Sequence, residues 1–205
     1  MKLVNRIPFL VVPAVLALLA STGAARAADY SIDPSHSSVE FKIRHLVGKV
    51  KGTFKDFEGD ISFDEKALDK SKAKLTIKTA SLSTDNEKRD AHLKSADFFD
   101  TEKFPTITFE SKSFAKAAGK GKFKVMGDLT MHGVTKPVTM EVEYAGTEKD
   151  PWGNTRAGFT ATTELKRKDF GIVWNKTLDS GGVMLGDDVS VTVQIEGIQK
   201  AAAKK

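Results

Sequence analysis

Eight stretches of this chain alternate apolar and polar residues, the first beginning at Val39 and the last ending at Ile195. In the first, Val39, Phe41 and Ile43 are interleaved with Glu40, Lys42 and Arg44. The same beat recurs at Gly59/Ile61/Phe63, Leu75/Ile77, Ile107/Phe109, Phe123/Val125, Val138/Met140/Val142/Tyr144, Phe159/Ala161/Thr163/Leu165 and Val189/Val191/Val193/Ile195. A period of two places one face of each segment in a core and the other in water. Short strands of this kind, separated by turn residues, predict an all-β fold: an extended antiparallel barrel of about eight strands. A barrel of that size is either just filled by its own side chains or hollow enough for one small ligand. The inward positions are almost wholly apolar, so an apolar guest is expected. Phe41, Ile43, Ile77, Phe109, Val125, Met140, Val142, Phe159, Val191 and Val193 are the predicted tunnel lining.

Turn signals fall between the runs at Asp33-Pro34, Gly48 to Gly52, Gly119-Lys-Gly121, His132-Gly133, Asp150-Pro-Trp-Gly153 and Ser180-Gly-Gly182. Only Ala80 to Phe104 leaves the beat. There Thr84-Asp-Asn-Glu87 has the form of a capping box, predicting a helix from about Asn86 to Leu93 within an insert spanning about residues 85–100. The aromatic pair Phe98-Phe99 that follows is too apolar for an open loop and is expected to plug or line one end of the barrel.

Residues 1–27 read as a signal peptide. Lys2 and Arg6 precede an apolar run from Ile7 to Leu19, and Ala25-Arg-Ala27 supplies a cleavage signal. That run falls short of the roughly 20 apolar residues that span a bilayer. The expected product is a periplasmic barrel domain over residues 28–199 with an Ala/Lys tail at 200–205. Removing the signal also removes most of the positive charge. Of 32 basic and 27 acidic residues, 29 and 27 remain, and three of the basic ones are Lys200, Lys204 and Lys205 in the tail. No basic stripe for nucleic acid survives. With no cysteine, an exported domain must be held by its core and sheet alone.

Reactive constellations are sparse. His36, His45, His92 and His132 lack metal-ligand spacing, and His36 and His45 fall on one predicted strand, facing opposite ways. There is no G-x-S-x-G elbow and no phosphate loop. Asp187-Asp188, ahead of the last predicted strand, has the character of turn and solvation residues. Two clusters remain. Arg89 and His92 share a helix face beside Phe98 and Phe99, and Phe170 and Trp174 follow Arg167 in a loop. Arg89, His92, Phe98, Phe99, Phe170 and Trp174 either form a rim that orients a ligand head group or tie the insert and loop to the barrel. No catalytic residue, metal or cofactor is assigned. Three readings stand: a lipid-binding protein, an enzyme using the barrel as a chamber with Arg89 and His92 in acid–base roles, and a ligand-free interaction module.

The chain resembles the YceI-like family. The resemblance rests on Asp33-Pro-Ser-His36, Phe41, His45, Gly52-x-Phe54, Ala80-Ser81, Arg89-Asp-x-His92-Leu93, Phe98-Phe99 and Phe104-Pro-x-Ile107-x-Phe109. It continues through Gly127-x-Leu129-Thr130, Gly133 to Val138, Trp152-Gly153, Gly158-Phe159, Arg167 to Gly171, Trp174-Asn175 and Gly186-Asp-x-Val189, covering residues 29–199. It implies a lipocalin-like periplasmic barrel whose tunnel holds a polyisoprenoid or similar long-chain lipid, for carriage, storage or stress response. It brings no catalytic residues, and lipid carriage would entail transient membrane contact.

Overall fold

A computed structural model describes residues 27–201. All of the predicted signal peptide but Ala27, and the tail beyond Ala201, lie outside the described residues. Every alternating stretch becomes a strand: β2 (Ser38–His45), β4 (Phe57–Phe63), β5 (Lys72–Lys78), β7 (Thr106–Lys116), β8 (Lys122–Met131), β9 (Val134–Lys149), β10 (Thr155–Lys166) and β11 (Leu185–Gln199). Three further strands are unmarked by the alternation: β1 (Ala28–Ile32), β3 (Gly48–Phe54) and β6 (Leu82–Ser83).

These three complete staves that are broken in the middle. β1 and β2 lie end to end along β11, β1 against Gly197–Gln199 and β2 against Leu185–Gln194. The break is a 3₁₀ turn at Pro34–His36, capped by the Asp33 carboxylate. β3 and β4 form the neighbouring stave, with β3 on β2 and β4 on β1. β5 and β6 form the third, interrupted by a 3₁₀ turn at Thr79–Ser81. The ring β1-β4-β5-β7-β8-β9-β10-β11 then closes through β1–β11 pairing, a closed eight-strand antiparallel barrel.

The sequence pattern errs at four places. Gly48 to Gly52 is not a turn but most of β3; the reversal is the two-residue loop Leu46-Val47, closed by His45 and Gly48. Glycine belongs in this strand because the Phe41 ring lies across it. A Cβ on Gly52 would stand 2.2 Å from Phe41 Cζ. His36 sits in the 3₁₀ turn rather than on the strand that carries His45. Asp187-Asp188 lies inside β11, at a register shift against β2, not ahead of the strand. Finally, the helix α1 (Glu87–Lys94) is capped by Asn86, whose carboxamide oxygen accepts from the Arg89 amide at 3.0 Å. Thr84 is drawn away from capping by Asp90, which accepts from both its hydroxyl and its amide. The acids Glu87 and Asp90 in the first turn, with His92 and Lys94 in the last, suit the helix dipole.

The core is the barrel interior. Val39, Phe54, Ile77, Ile107, Phe123, Val125, Phe159, Val193 and Ile195 are all buried. On the outer surface, one guanidinium gathers three carboxylates from distant parts of the chain. Arg156 of β10 donates to Asp33 at 2.7 Å, to Asp150 at 2.9 Å and to Glu196 of β11. The Ser35 hydroxyl and then Arg156 hold Asp33 far below the usual carboxylate range, and Arg156 with Asn154 holds Asp150 at about 2.

Candidate apolar cavity and its rim

A cavity of about 260 Å³ runs inside the barrel, and the wall surface it presents is wholly apolar. The ten residues predicted to line a tunnel all line this cavity. The period of two explains why: on each stave the alternate residues point inward. Many further lining residues were not predicted. Phe54 belongs to a strand the pattern did not reveal, and Phe114 lies beyond a register shift in β7 that moves the inward face by one residue. Leu165 and Val189 also line it and were legible in the same alternation, while Leu129 and Leu185 line it from outside the alternating stretches.

The two ends of the cavity differ. At one end, where β4 finishes and β8 starts, an aromatic cluster fills the bore. Phe63 packs on Tyr144 at 4.9 Å, on Phe159 at 5.2 Å and on Phe123 at 5.4 Å between ring centroids. Tyr144 stacks on Phe159 and Tyr30 meets Phe159 edge-on. We call this the closed end. Burial there, and the neighbouring Tyr144, push the Tyr30 phenol pKa upward. At the other end, the insert end, the wall is completed by the segment after β6. Arg89, Leu93, Phe98 and Phe99 line the cavity there, and Phe99 meets Phe54 edge-on at 5.7 Å.

Of the six predicted rim residues, Arg89, Phe98 and Phe99 line the cavity, while His92, Phe170 and Trp174 do not. His92 instead packs edge-on against Phe98 at 5.0 Å and Trp174 at 4.9 Å, and those two rings meet each other at 5.1 Å, a three-ring cluster. Its Nε2 lies 2.9 Å from Asp97. Phe170 is almost fully buried in a 3₁₀ turn, Arg167–Phe170, and its carbonyl accepts from His132 Nδ1. Arg89 donates to the Thr84 hydroxyl at 2.7 Å and to the Thr84 carbonyl at 2.8 Å. Burial pushes the Asp90 pKa up, but the Thr84 hydroxyl and amide outweigh it and the net shift is downward. These bonds tie the insert to the end of β6.

Arg167 performs the same service for the facing loop. Its guanidinium is buried and donates to the carbonyls of Gly186, Ile172 and Trp174 and to the Asp187 carboxylate. Burial lowers its pKa, partly offset by Asp187. Asp187 itself is held down by its bond to Lys168, against the opposing effect of burial. The two guanidiniums at this rim, of Arg89 and Arg167, are therefore bonded to the protein's own backbone, hydroxyl and carboxylate groups. Outside the barrel, Asp33, His36 and Glu196 come within metal-ligand range of one another. Arg156 already bonds both carboxylates and His36 donates to Asp33, so these groups are engaged with one another in an ion-pair cluster.

The YceI-like domain matches residues 30–197, nearly the whole barrel. The chain belongs to the YceI-like family. Its relatives include a UPF0312 protein of Serratia proteamaculans, 46% identical over 186 residues, covering 89% of this chain and 93% of that one. Protein YceI of Escherichia coli O157:H7 is 45% identical over 186 residues with the same coverage. Among solved structures, the Campylobacter jejuni YCEI protein is 34% identical with a TM-score of 0.65, covering 77% of this chain and 90% of that one. BcnA of Burkholderia cenocepacia has the same fold at 24% identity, with a TM-score of 0.70 over 80% of this chain and 98% of that one. A polyisoprenoid-binding domain from Saccharophagus degradans shares the YceI-like barrel at 16% identity, with a TM-score of 0.63 over 85% and 100% of the two chains.

Proposed function

We propose that this YceI-like protein is an exported lipid-binding protein that holds one polyisoprenoid-type chain in its barrel and carries or stores it in the periplasm. The observation that carries this reading is the cavity. It runs the length of the barrel, its exposed wall is apolar, and aromatic rings stop it at one end. Its volume is slightly below the roughly 300–1,000 Å³ of pockets for compact small molecules. A long, narrow space of that kind suits an extended hydrocarbon chain better than a globular ligand. The choice of an isoprenoid draws on the polyisoprenoid-binding domain that shares the fold.

Affinity would come from burial of the chain, about 0.8 kcal/mol per CH₂ gross. Ordering a flexible chain offsets much of that. Carriage without chemistry is supported at the rim, where the donors of Arg167 and the Nε and Nη2 donors of Arg89 are already bonded. Export is supported by the sequence of residues 1–27, and intact mass of the periplasmic form is expected to show a chain starting at Ala28.

The test is organic extraction of natively purified protein followed by mass spectrometry, for wild type and Ala161→Phe. Ala161 lines the cavity between Val142 and Val193 on the neighbouring strands. A ring there fills the bore without disturbing the outer face. One apolar long-chain species is expected from wild type and little from the folded variant. Equal recovery from both, or a chemically processed series of species, would overturn the reading.

A further inference from the structure

The hairpin joining β2 and β3 is built against the preferences of folding, and only at its tip and outer face. A two-residue hairpin loop needs positive φ at its first central position, which glycine, asparagine or aspartate supply without strain. Here that position is Leu46, at φ 53°, followed by Val47. The equivalent loop between β8 and β9 is His132-Gly133, at 52° and 72°, a polar residue first and a glycine second, with no apolar side chain at its tip. Leu46 is 40% exposed and Val47 wholly so. A leucine in the left-handed region is strained, and an apolar tip in water gains nothing from it.

The facing loop adds to this tip. The Leu46 amide donates to the Met184 carbonyl at 2.8 Å, and Arg44 donates to the carbonyls of Leu46 and Val183. Val183 is itself exposed. Below the tip, the outer ladder sets like charges directly opposite each other: Lys42 against Lys51 and Arg44 against Lys49. Such pairs destabilise a sheet. Glu40 relieves one of them by pairing with Lys51, and among the described residues Lys42 and Lys49 have no ion pair. Lys176 and Asp179 are the charged groups of the adjoining loop. The inner face of the same hairpin, through Ile43, His45 and Val50, lines the cavity.

An apolar point collared by uncompensated cations has one complementary partner, a surface that is apolar within and anionic at its edge. We propose that the Leu46-Val47 tip, with Val183, inserts into an anionic phospholipid bilayer and docks the insert end of the barrel there. This rests on the lipid-binding reading, and adds which end of the barrel meets the membrane and by what chemistry. Lys42, Arg44 and Lys49 then face lipid phosphates, and the cavity wall begins at the bilayer surface.

The test is flotation of the purified protein with vesicles of phosphatidylglycerol and phosphatidylethanolamine, and with neutral phosphatidylcholine. Wild type is expected to float with the anionic vesicles. Leu46→Gly/Val47→Ser restores an unstrained turn, so its melting temperature is expected to hold or rise while its vesicle partition falls roughly ten- to a hundredfold. Lys42→Gln/Lys49→Gln is expected to lose about fivefold per charge on anionic vesicles only. Undiminished flotation of the turn variant overturns the proposal, as does a wild type that stays in the aqueous fraction. A wild-type dimer dispersed by the turn variant, without flotation, would assign the tip to a second copy and overturn it too. Lipid extracted from the vesicle-free protein separates the two readings: a bound apolar chain without flotation leaves carriage standing, and an empty barrel that floats removes carriage and keeps docking.

Discussion

Replacing Arg167 by methionine tests how the insert end is held. Methionine keeps an unbranched apolar stem and removes the guanidinium. The side chain of Arg167 is only 5% exposed, and it donates to Gly186 O at 2.9 Å, to Ile172 O and Trp174 O at 2.8 Å, and to Asp187 at 3.1 Å. Hydrogen bonds to a charged group are worth about 1.5–3 kcal/mol each, so the three carbonyl bonds alone set a ceiling of about 5–9 kcal/mol. Two effects bring the cost down. The desolvation of a buried cation is relieved, and Trp174, being half-buried, can turn its carbonyl to water. Asp187 is not orphaned, because Lys168 remains 2.7 Å from it. Ile172 is buried and its carbonyl stays without a partner. The acceptors remain behind when the donor leaves, so the case is a broken pair and not an apolar swap, and a net loss of about 2–4 kcal/mol is expected. Urea denaturation measures it. Trp174 fluorescence, read in a Trp152→Phe background, is expected to shift toward the solvent-exposed value before global unfolding. A loss under about 1 kcal/mol with unchanged Trp174 emission would refute the assignment of Arg167 as the tie of this loop.

Three other outcomes follow from the structure. Asp150 has its pKa lowered to about 2 and Asp33 is lowered further, so the stability they contribute is present above the unfolded value of about 4 and fades as pH falls through about 4 to 2; Arg156→Gln is expected to flatten that acid limb in urea midpoints measured against pH. Gly52→Ala forces the Phe41 ring off its strand, and a melting temperature lower by several degrees with reduced lipid recovery is expected. Val193→Asp places a carboxyl in the apolar wall, where burial raises its pKa; its destabilisation relative to Val193→Ala is expected to grow above pH about 4, by up to 1.36 kcal/mol per unit, and a flat difference would show that position 193 reaches water.

How much of this was legible in the sequence depends on the kind of signal. Wherever a strand alternates, as at Val39 to Ile43 or Val189 to Ile195, its existence, its inward face and its place on the cavity wall could all be read. β3 could not be, because Gly48 and Gly52 mimic a turn. The reason for a glycine there is an aromatic ring on the next strand, a contact invisible until the two strands are paired. The helix was legible and its cap was not. Thr84 and Asn86 both have capping side chains, and only the Asp90 carboxylate, reaching back to Thr84, decides between them. Phe98 and Phe99 were recognisable as barrel-end residues by their apolarity alone. The seal at the closed end is built from Phe63, Phe123, Tyr144 and Phe159, each an ordinary inward position in its own strand. Their convergence depends on how far the strands are staggered, which no single segment records.

The hydrogen-bond ladder does not run all the way round at both ends. At the closed end it is continuous, through β1, β4, β5 and β7 and back to β11. At the insert end β6 pairs with β3 on one side, and β7, which begins at Thr106, takes its partners from β5 and β8. Between them the wall is side chains: Leu93, Phe98 and Phe99, held by Arg89 and Thr84. A gap closed by packing can breathe while the hoop at the other end stays shut, because opening it separates no paired strands. The molecule is thus a purse and not a pipe, stitched at the base and drawn together at the lip. Amide exchange should be fastest in β6 and α1 and slowest where β10 meets β11. A flexible chain could then enter sideways along the slit, without having to be threaded end-first down the bore.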